Sequence, residues 1–354
     1  MKAFVARGRN DYEIMDVPMP ELGSRDVLVR VKCAAICGSD LHIYDGSMDP
    51  LCGYPVIMGH ENAGVVEWVG EDAPGGWKVG DRVTSENTVS VCGACYSCQT
   101  GDYAACEQRR GFGIAADGSF AEYIRIPGDM LALQPDCLMK LPDNVSFEEA
   151  VLMEPAANAY KSVFQEGELM AGETVLITGA GTFAAYCVHM AALGGASCIA
   201  VLVRKSTSPK KLEIVKRMGA TEILYADEEP EKREKELARC TGGYGFNLAV
   251  ETTGASSVLD CCIRSVHTQG RVVRVAISDA PFQYSMNMLT LRSVKLMGHL
   301  GYNPVSWHNV MNLAAKGMLD LHTVVTKIVS LEQVKEGFEA LKARKEEKVL
   351  VTMK

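Results

Sequence analysis

The stretch that most limits the fold lies near the middle of the chain. There the wholly apolar run Val175-Leu176-Ile177 passes through Thr178-Gly179-Ala180-Gly181-Thr182-Phe183-Ala184 into the apolar segment 185–193. A short run with no polar side is a strand buried on both faces, which needs a layer of structure above and below it. Glycines at 179 and 181 let the chain turn tightly, and a helical pattern follows at once. Strand, tight turn and helix in that order predict parallel β-α units in a doubly wound sheet. Further strand candidates at 198–203, 222–225, 247–251 and 270–277 extend the series. Between them, the segment 209–218 sets Leu212, Val215 and Met218 on one helical face and stops at Gly219.

The turn has a chemical reading. Gly179 permits the reversal, Gly181 lets a pyrophosphate approach the backbone, and Ala184 takes the place of a third glycine at the helix–strand contact. Thr182 and Phe183 then open a helix whose N-terminus faces the phosphates. The segment is read as a dinucleotide site.

The earlier part of the chain differs. Runs at 13–17, 26–32 and 63–69 are β-branched, short and separated by Gly and Pro, and 26–32 alternates polar with apolar as a half-buried strand does. A helical stretch is expected at 147–166, a last helical region at 331–345 and a final strand at 348–352, while the mixed charges of 228–236 read as a solvated helix face. At ~100–200 residues per domain, 354 residues suggest two domains.

Lys plus Arg is 36 and Asp plus Glu is 44, a net charge of −8. That balance argues against a general nucleic-acid or anionic-membrane binder, and no stretch approaches the ~20 apolar residues that cross a bilayer. The expected partner is a small molecule. Thirteen cysteines, an odd number, cannot all pair within one chain, and residues 1–8 lack the apolar core of a secretory leader. A reducing cytoplasm is expected, where thiols are free to hold metal.

Cys92, Cys95, Cys98 and Cys106 form C-x2-C-x2-C-x7-C. Two-residue gaps let thiolates and backbone N–H groups wrap one ion, and four sulfurs complete the tetrahedral shell of a structural Zn²⁺. An iron–sulfur cluster is the alternative at such spacings. Upstream, Cys37-Gly38-Ser39-Asp40-Leu41-His42 and Gly59-His60-Glu61-Asn62-Ala63-Gly64 concentrate a thiol, imidazoles, a hydroxyl and carboxylates, a set that suits a second zinc.

With Gly59, His60, Glu61, Gly64 and Gly70 in the order G-H-E-x2-G-x5-G, the run Val79-Gly80-Asp81-Arg82-Val83 and the four-cysteine segment, the chain resembles the zinc-dependent medium-chain alcohol dehydrogenases, in particular their sorbitol and threonine dehydrogenase branch. The resemblance implies a mixed α/β fold: a GroES-like, β-rich catalytic domain from 1–155 and 295–354, and a Rossmann doubly wound domain from 156–294. It implies that Cys37 and His60 ligate a catalytic zinc, with Glu61 and Glu154 both candidates for the third ligand. Three protein ligands and an open position suit Lewis-acid catalysis on an alcohol whose carbinol hydrogen leaves as hydride. Asp40 would orient the ligand histidine, or else serve as an ordinary cap. Ser39 would take the hydroxyl proton and pass it by way of the cofactor ribose toward His42, unless His42 is a plain surface residue. A non-catalytic member of the fold would not need this set.

NAD-preferring relatives carry an acidic residue near the position of Val203. Its absence, followed by Arg204, Lys205 and Ser206, favours a 2′-phosphate and hence NADP, with NAD in a chain whose Arg204 and Lys205 merely form a solvated turn as the alternative. The substrate pocket is expected between the domains and to draw on Phe112, His299 and Tyr302, with His299 alternatively only packing at the domain interface. Where related polyol dehydrogenases place an arginine before that tyrosine, this chain has Gly301. A secondary alcohol or ketone is expected, with a polyol as the alternative, in a homodimer or homotetramer.

Overall fold

The computed structural model describes residues 1–47, 51–278 and 281–353. The chain divides into two compact units, one comprising 1–154, 302–317 and 325–354, the other 155–301 and 318–324.

The first unit holds strands β1 (Lys2–Gly8), β2 (Asp11–Asp16), β3 (Val27–Ile36), β4 (Val56–Ile57), β5 (Glu61–Val69), β6 (Arg82–Ser85), β7 (Thr88–Ser90), β8 (Arg110–Gly111), β9 (Tyr123–Ile126) and β10 (Leu138–Lys140). The second holds β11 (Thr174–Thr178), β12 (Cys198–Val203), β13 (Glu222–Tyr225), β14 (Phe246–Glu251), β15 (Val266–Arg274) and β16 (Lys295–Gly298), after which β17 (Val325–Ser330) and β18 (Lys348–Thr352) return to the first.

The main sheet of the first unit runs β10-β6-β5-β3-β18-β17, with β9 also on β3. Its centre, β3, is almost wholly buried. Phe4, Tyr44, Phe120 and Phe338 form an aromatic core beside it, with Tyr44 stacked on Phe338 at 4.6 Å between centroids. The helix Gly38–Tyr44 follows β3 directly, its N-cap Cys37 in extended backbone. The chemistry therefore sits where an apolar strand ends and a helix starts.

The second unit is a six-stranded parallel sheet, order β13-β12-β11-β14-β15-β16. β11 lies inside it, so its apolar character on both faces follows from burial on both faces. The helix Thr182–Leu193 begins four residues later, with Ala184, Ala185 and Cys187 fully buried.

Three elements depart from expectation. Strand β16 pairs in parallel with β15, so the Rossmann unit runs through Gly301 rather than stopping at 294. The expected helix at 147–166 is three pieces: Phe147–Ala150 capped by Ser146, Met153–Tyr160 with Pro155 in its first turn, and a π-helical turn Lys161–Glu166. Proline starts helices well and continues them poorly, which accounts for the first break. Strand β15 begins at Val266, because a bulge with Gln269 at φ 71° lets the pairing with β14 start earlier.

Candidate active site and zinc centres

The four cysteines at 92, 95, 98 and 106 lie on short turns and a one-turn helix, too little apolar structure to set them by packing alone. Their sulfurs nonetheless converge: Cys92 to Cys98 is 3.9 Å, Cys95 to Cys98 3.5 Å and Cys106 to Cys92 3.7 Å. A tetrahedron with Zn–S near 2.3 Å has edges of about 3.8 Å. Backbone N–H groups of Ala94 and Cys95 pull the Cys92 thiol down to about 6, whereas burial and the neighbouring sulfurs push Cys98 up to about 12. Four thiolates cannot coexist there without a cation, and the donor set fits zinc.

A second cluster gathers Cys37, His60 and Glu61, whose ligand atoms lie within 4.8 Å of one another. Cys37 directly follows β3 and Glu61 begins β5, two strands paired with Ala35 opposite Glu61, so the register brings them together. Asp40 Oδ2 accepts the Cys37 backbone N–H at 2.8 Å, while its other oxygen stands 3.3 Å from His60 Nδ1. Both of those facing atoms are buried and poorly aligned for a hydrogen bond. His60 Nε2 lies on the other side of the ring, 3.3 Å from Ser39 Oγ. Burial opposes a proton on His60, but the charges of Asp40 and Cys37 outweigh it and hold its pKa well above the ordinary value. The site attracts positive charge, as a metal centre built from a thiolate and carboxylates must.

Glu154, in the first turn of the helix Met153–Tyr160, lies outside the 4.8 Å cluster but is close enough to feel it. Burial, then repulsion by Glu61, pushes its carboxyl up to about 7. Its Oε1 accepts from Asn87 Nδ2 at 3.2 Å, and the Arg109 guanidinium in turn donates to Asn87 Oδ1. Tyr302 Oη accepts the Asn87 backbone N–H at 3.0 Å and its ring stacks on Trp307. Phe112 is 3% exposed and belongs to the core of the first unit. His42 is exposed, with Nδ1 3.0 Å from Ser47 Oγ. His299 lies in the second unit, its Nε2 2.5 Å from Asn158 Oδ1 and 3.5 Å from Ser162 Oγ.

Gly179 has φ 88°, and a Cβ there would come 2.9 Å from Thr252 Oγ1. A Cβ on Gly181 would meet nothing within 4 Å, so the space over the start of the helix is open to a phosphate. Val203 is buried at the end of β12, and Arg204, Lys205 and Ser206 are exposed beyond it. Lys205 Nζ pairs with Glu228 at 3.1 Å and its backbone N–H donates to Asp227, whereas Arg204 has no ion-pair partner among the described residues.

Asn87, Arg109 and Lys348 escape a reading of the sequence. Asn87 and Arg109 lack a motif. Lys348 opens an apolar strand, a position where lysine ordinarily reaches solvent; here it is buried and contacts Glu61.

A GroES-like β unit holding a thiolate–imidazole–carboxylate cluster, joined to a doubly wound unit with an open glycine turn, defines a metal- and dinucleotide-dependent dehydrogenase. Residues 23–136 match the alcohol dehydrogenase GroES-like domain and residues 184–316 the zinc-binding dehydrogenase domain. The chain is 33% identical to the zinc-type alcohol dehydrogenase-like protein YdjL of Escherichia coli K12, over 99% of both chains. It is 31% identical to sorbitol dehydrogenase of Halalkalibacterium halodurans, again over 99% of each. The solved structure of 2R,3R-butanediol dehydrogenase from Bacillus subtilis superimposes with a TM-score of 0.87 at 30% identity, covering 100% of this chain and 99% of that one. The chain belongs to the zinc-type alcohol dehydrogenase family, whose members interconvert alcohols and carbonyl compounds with a nicotinamide dinucleotide.

Proposed function

We propose that this chain oxidises a secondary alcohol to a ketone, or runs the reverse, with NADP and two zinc ions, one held by the four-cysteine lobe and one by Cys37 and His60 with Glu61 and Glu154 as flanking carboxylates. The convergence of Cys37, His60 and Glu61 carries this reading. Cys37 and His60 would hold a zinc whose Lewis acidity would lower the pKa of a substrate hydroxyl, and the turn at Gly179 and Gly181 would hold a dinucleotide able to take up a hydride. Ser39 Oγ, beside His60, receives the hydroxyl proton, and exposed His42 returns it to solvent. Asp40 orients His60 from behind. Asn87, itself held by Arg109, orients Glu154.

The names of the related sorbitol and butanediol dehydrogenases support a secondary, hydroxylated substrate. Gly301 in place of an arginine favours a less hydroxylated one. Arg204, unpaired and one residue past Val203, supports NADP; the engagement of Lys205 by Glu228 favours NAD as the second reading. A cytoplasmic location is part of this reading; none of the thirteen cysteines is in a disulfide, and no helix among the described residues is long and apolar enough to cross a membrane.

The test is kinetic and analytical. Purified protein should contain two zinc ions per chain and turn over a panel of secondary alcohols and polyols with kcat/KM higher for NADP. Replacement Cys37→Ala should remove one zinc and nearly all turnover while the chain stays folded; full activity in that variant would sink the assignment.

A further inference from the structure

Lys348 begins β18 yet is only 3% exposed. The sheet register explains its burial. β18 runs antiparallel to β3 with Leu350 opposite Ala35, and Ala35 stands opposite Glu61 on β5. Side chains alternate along a strand, so Lys348, two positions before Leu350, and Cys37, two positions after Ala35, share the face of Glu61. The small Ala35 side chain lies between, and the lysine reaches across it. Its Nζ meets Glu61 Oε2 at 2.5 Å and Oε1 at 2.8 Å, with both side chains nearly inaccessible.

A buried pair of this kind is a poor device for stability, since removing two ions from water costs about as much as their attraction returns. It is a good device for fixing a carboxylate. Glu61 already lies within 4.8 Å of the Cys37 and His60 ligand atoms, and an unrestrained carboxylate there could complete the shell around a metal. A catalytic zinc must keep one position open.

We propose that Lys348 is a positioning residue: its ammonium grips both oxygens of Glu61 and holds that carboxylate back from the metal, keeping a coordination position free for substrate. This rests on the assignment of a catalytic zinc to Cys37 and His60. It predicts that loss of the lysine moves two properties in opposite directions. Turnover drops, while the catalytic zinc is held more tightly because Glu61 is released to bind it. A lysine that only stabilised the fold would lose zinc faster when removed.

The measurement is zinc release to a chromogenic chelator by the holoenzyme, followed beside turnover and thermal stability. In Lys348→Met the catalytic zinc should leave about tenfold more slowly and kcat should decrease at least about tenfold, on the scale of other outer partners of metal ligands. Lys348→Arg, which retains the charge, should restore release to within about threefold of wild type. Release from Lys348→Met as fast as wild type, or faster, overturns the proposal. If that variant does not accumulate folded, Glu61→Gln and Glu61→Gln/Lys348→Met carry the same test without a buried, unpaired carboxylate. These two should release zinc at rates within about twofold of each other, and a tenfold difference between them overturns the claim that Lys348 acts through Glu61. A wild-type chain holding one zinc, or Cys37→Ala retaining two, would instead overturn the underlying zinc assignment.

Discussion

At the scale of residues, function here depends on second partners. Asp40 caps the Cys37 backbone N–H with one oxygen and faces His60 with the other, so one carboxylate disciplines two candidate ligands. Asp40→Asn keeps an oxygen for the cap but removes the charge behind the imidazole. It should lower catalytic-zinc affinity and kcat/KM by about 10- to 100-fold with little change in Tm, measured by chelator competition and steady-state kinetics. His299 offers a pH test. Burial, and then the neighbouring Lys161, lowers its pKa to about 3 from 6.5. Its protons are bound more readily in the unfolded chain, so it costs nothing above about pH 6.5 and subtracts progressively more stability as pH decreases toward 3. Between pH 7 and pH 5 wild type should lose on the order of 1–2 kcal/mol more than His299→Gln, read from urea midpoints. An equal loss in both would show that His299 is not held neutral.

At the scale of elements, two short segments are set by different forces. The turn at Gly179 is set by backbone conformation. With φ 88° and Thr252 Oγ1 waiting 2.9 Å from any Cβ, Gly179→Ala should destabilise the second unit by about 2 kcal/mol and weaken dinucleotide binding, followed by chemical denaturation and cofactor fluorescence. The cysteine lobe is set by its sulfurs. Apart from the two-stranded pair β7-β8 it contains only short turns and helices among the described residues, so a zinc held there would supply the order that a core supplies elsewhere. Element boundaries were legible where the local signal was strong. Strands β12, β13 and β18 lie at the positions that alternation and flanking turns predict. The π-helical turn Lys161–Glu166 and the bulged start of β15 were not, because Lys161 bonding to the Leu300 carbonyl and the β14 register are long-range facts.

At the scale of the whole molecule, the sheet of the second unit leaves β16 as an edge strand. Leu296 on that strand is 38% exposed and Leu291, in the helix just before it, is 81% exposed. Apolar edges of this kind are usually covered, and self-association is a direct way to cover them. Light scattering should therefore report two or four chains, and Leu296→Arg should shift the population toward single chains; a wild-type monomer at micromolar concentration would refute the expectation. The amino-acid sequence alone carried the family, the division into a β-rich and a doubly wound unit, and the candidate metal donors that the structure brings together, because glycines, cysteines and histidines at fixed spacing express local geometry and bond chemistry. Only the tertiary structure decided that β16 belongs to the second unit, that Phe112 packs in the core, and that Asn87, Arg109 and Lys348 surround the candidate ligands. Those residues act through strand pairing between positions as far apart as 61 and 348, and no local pattern carries that register.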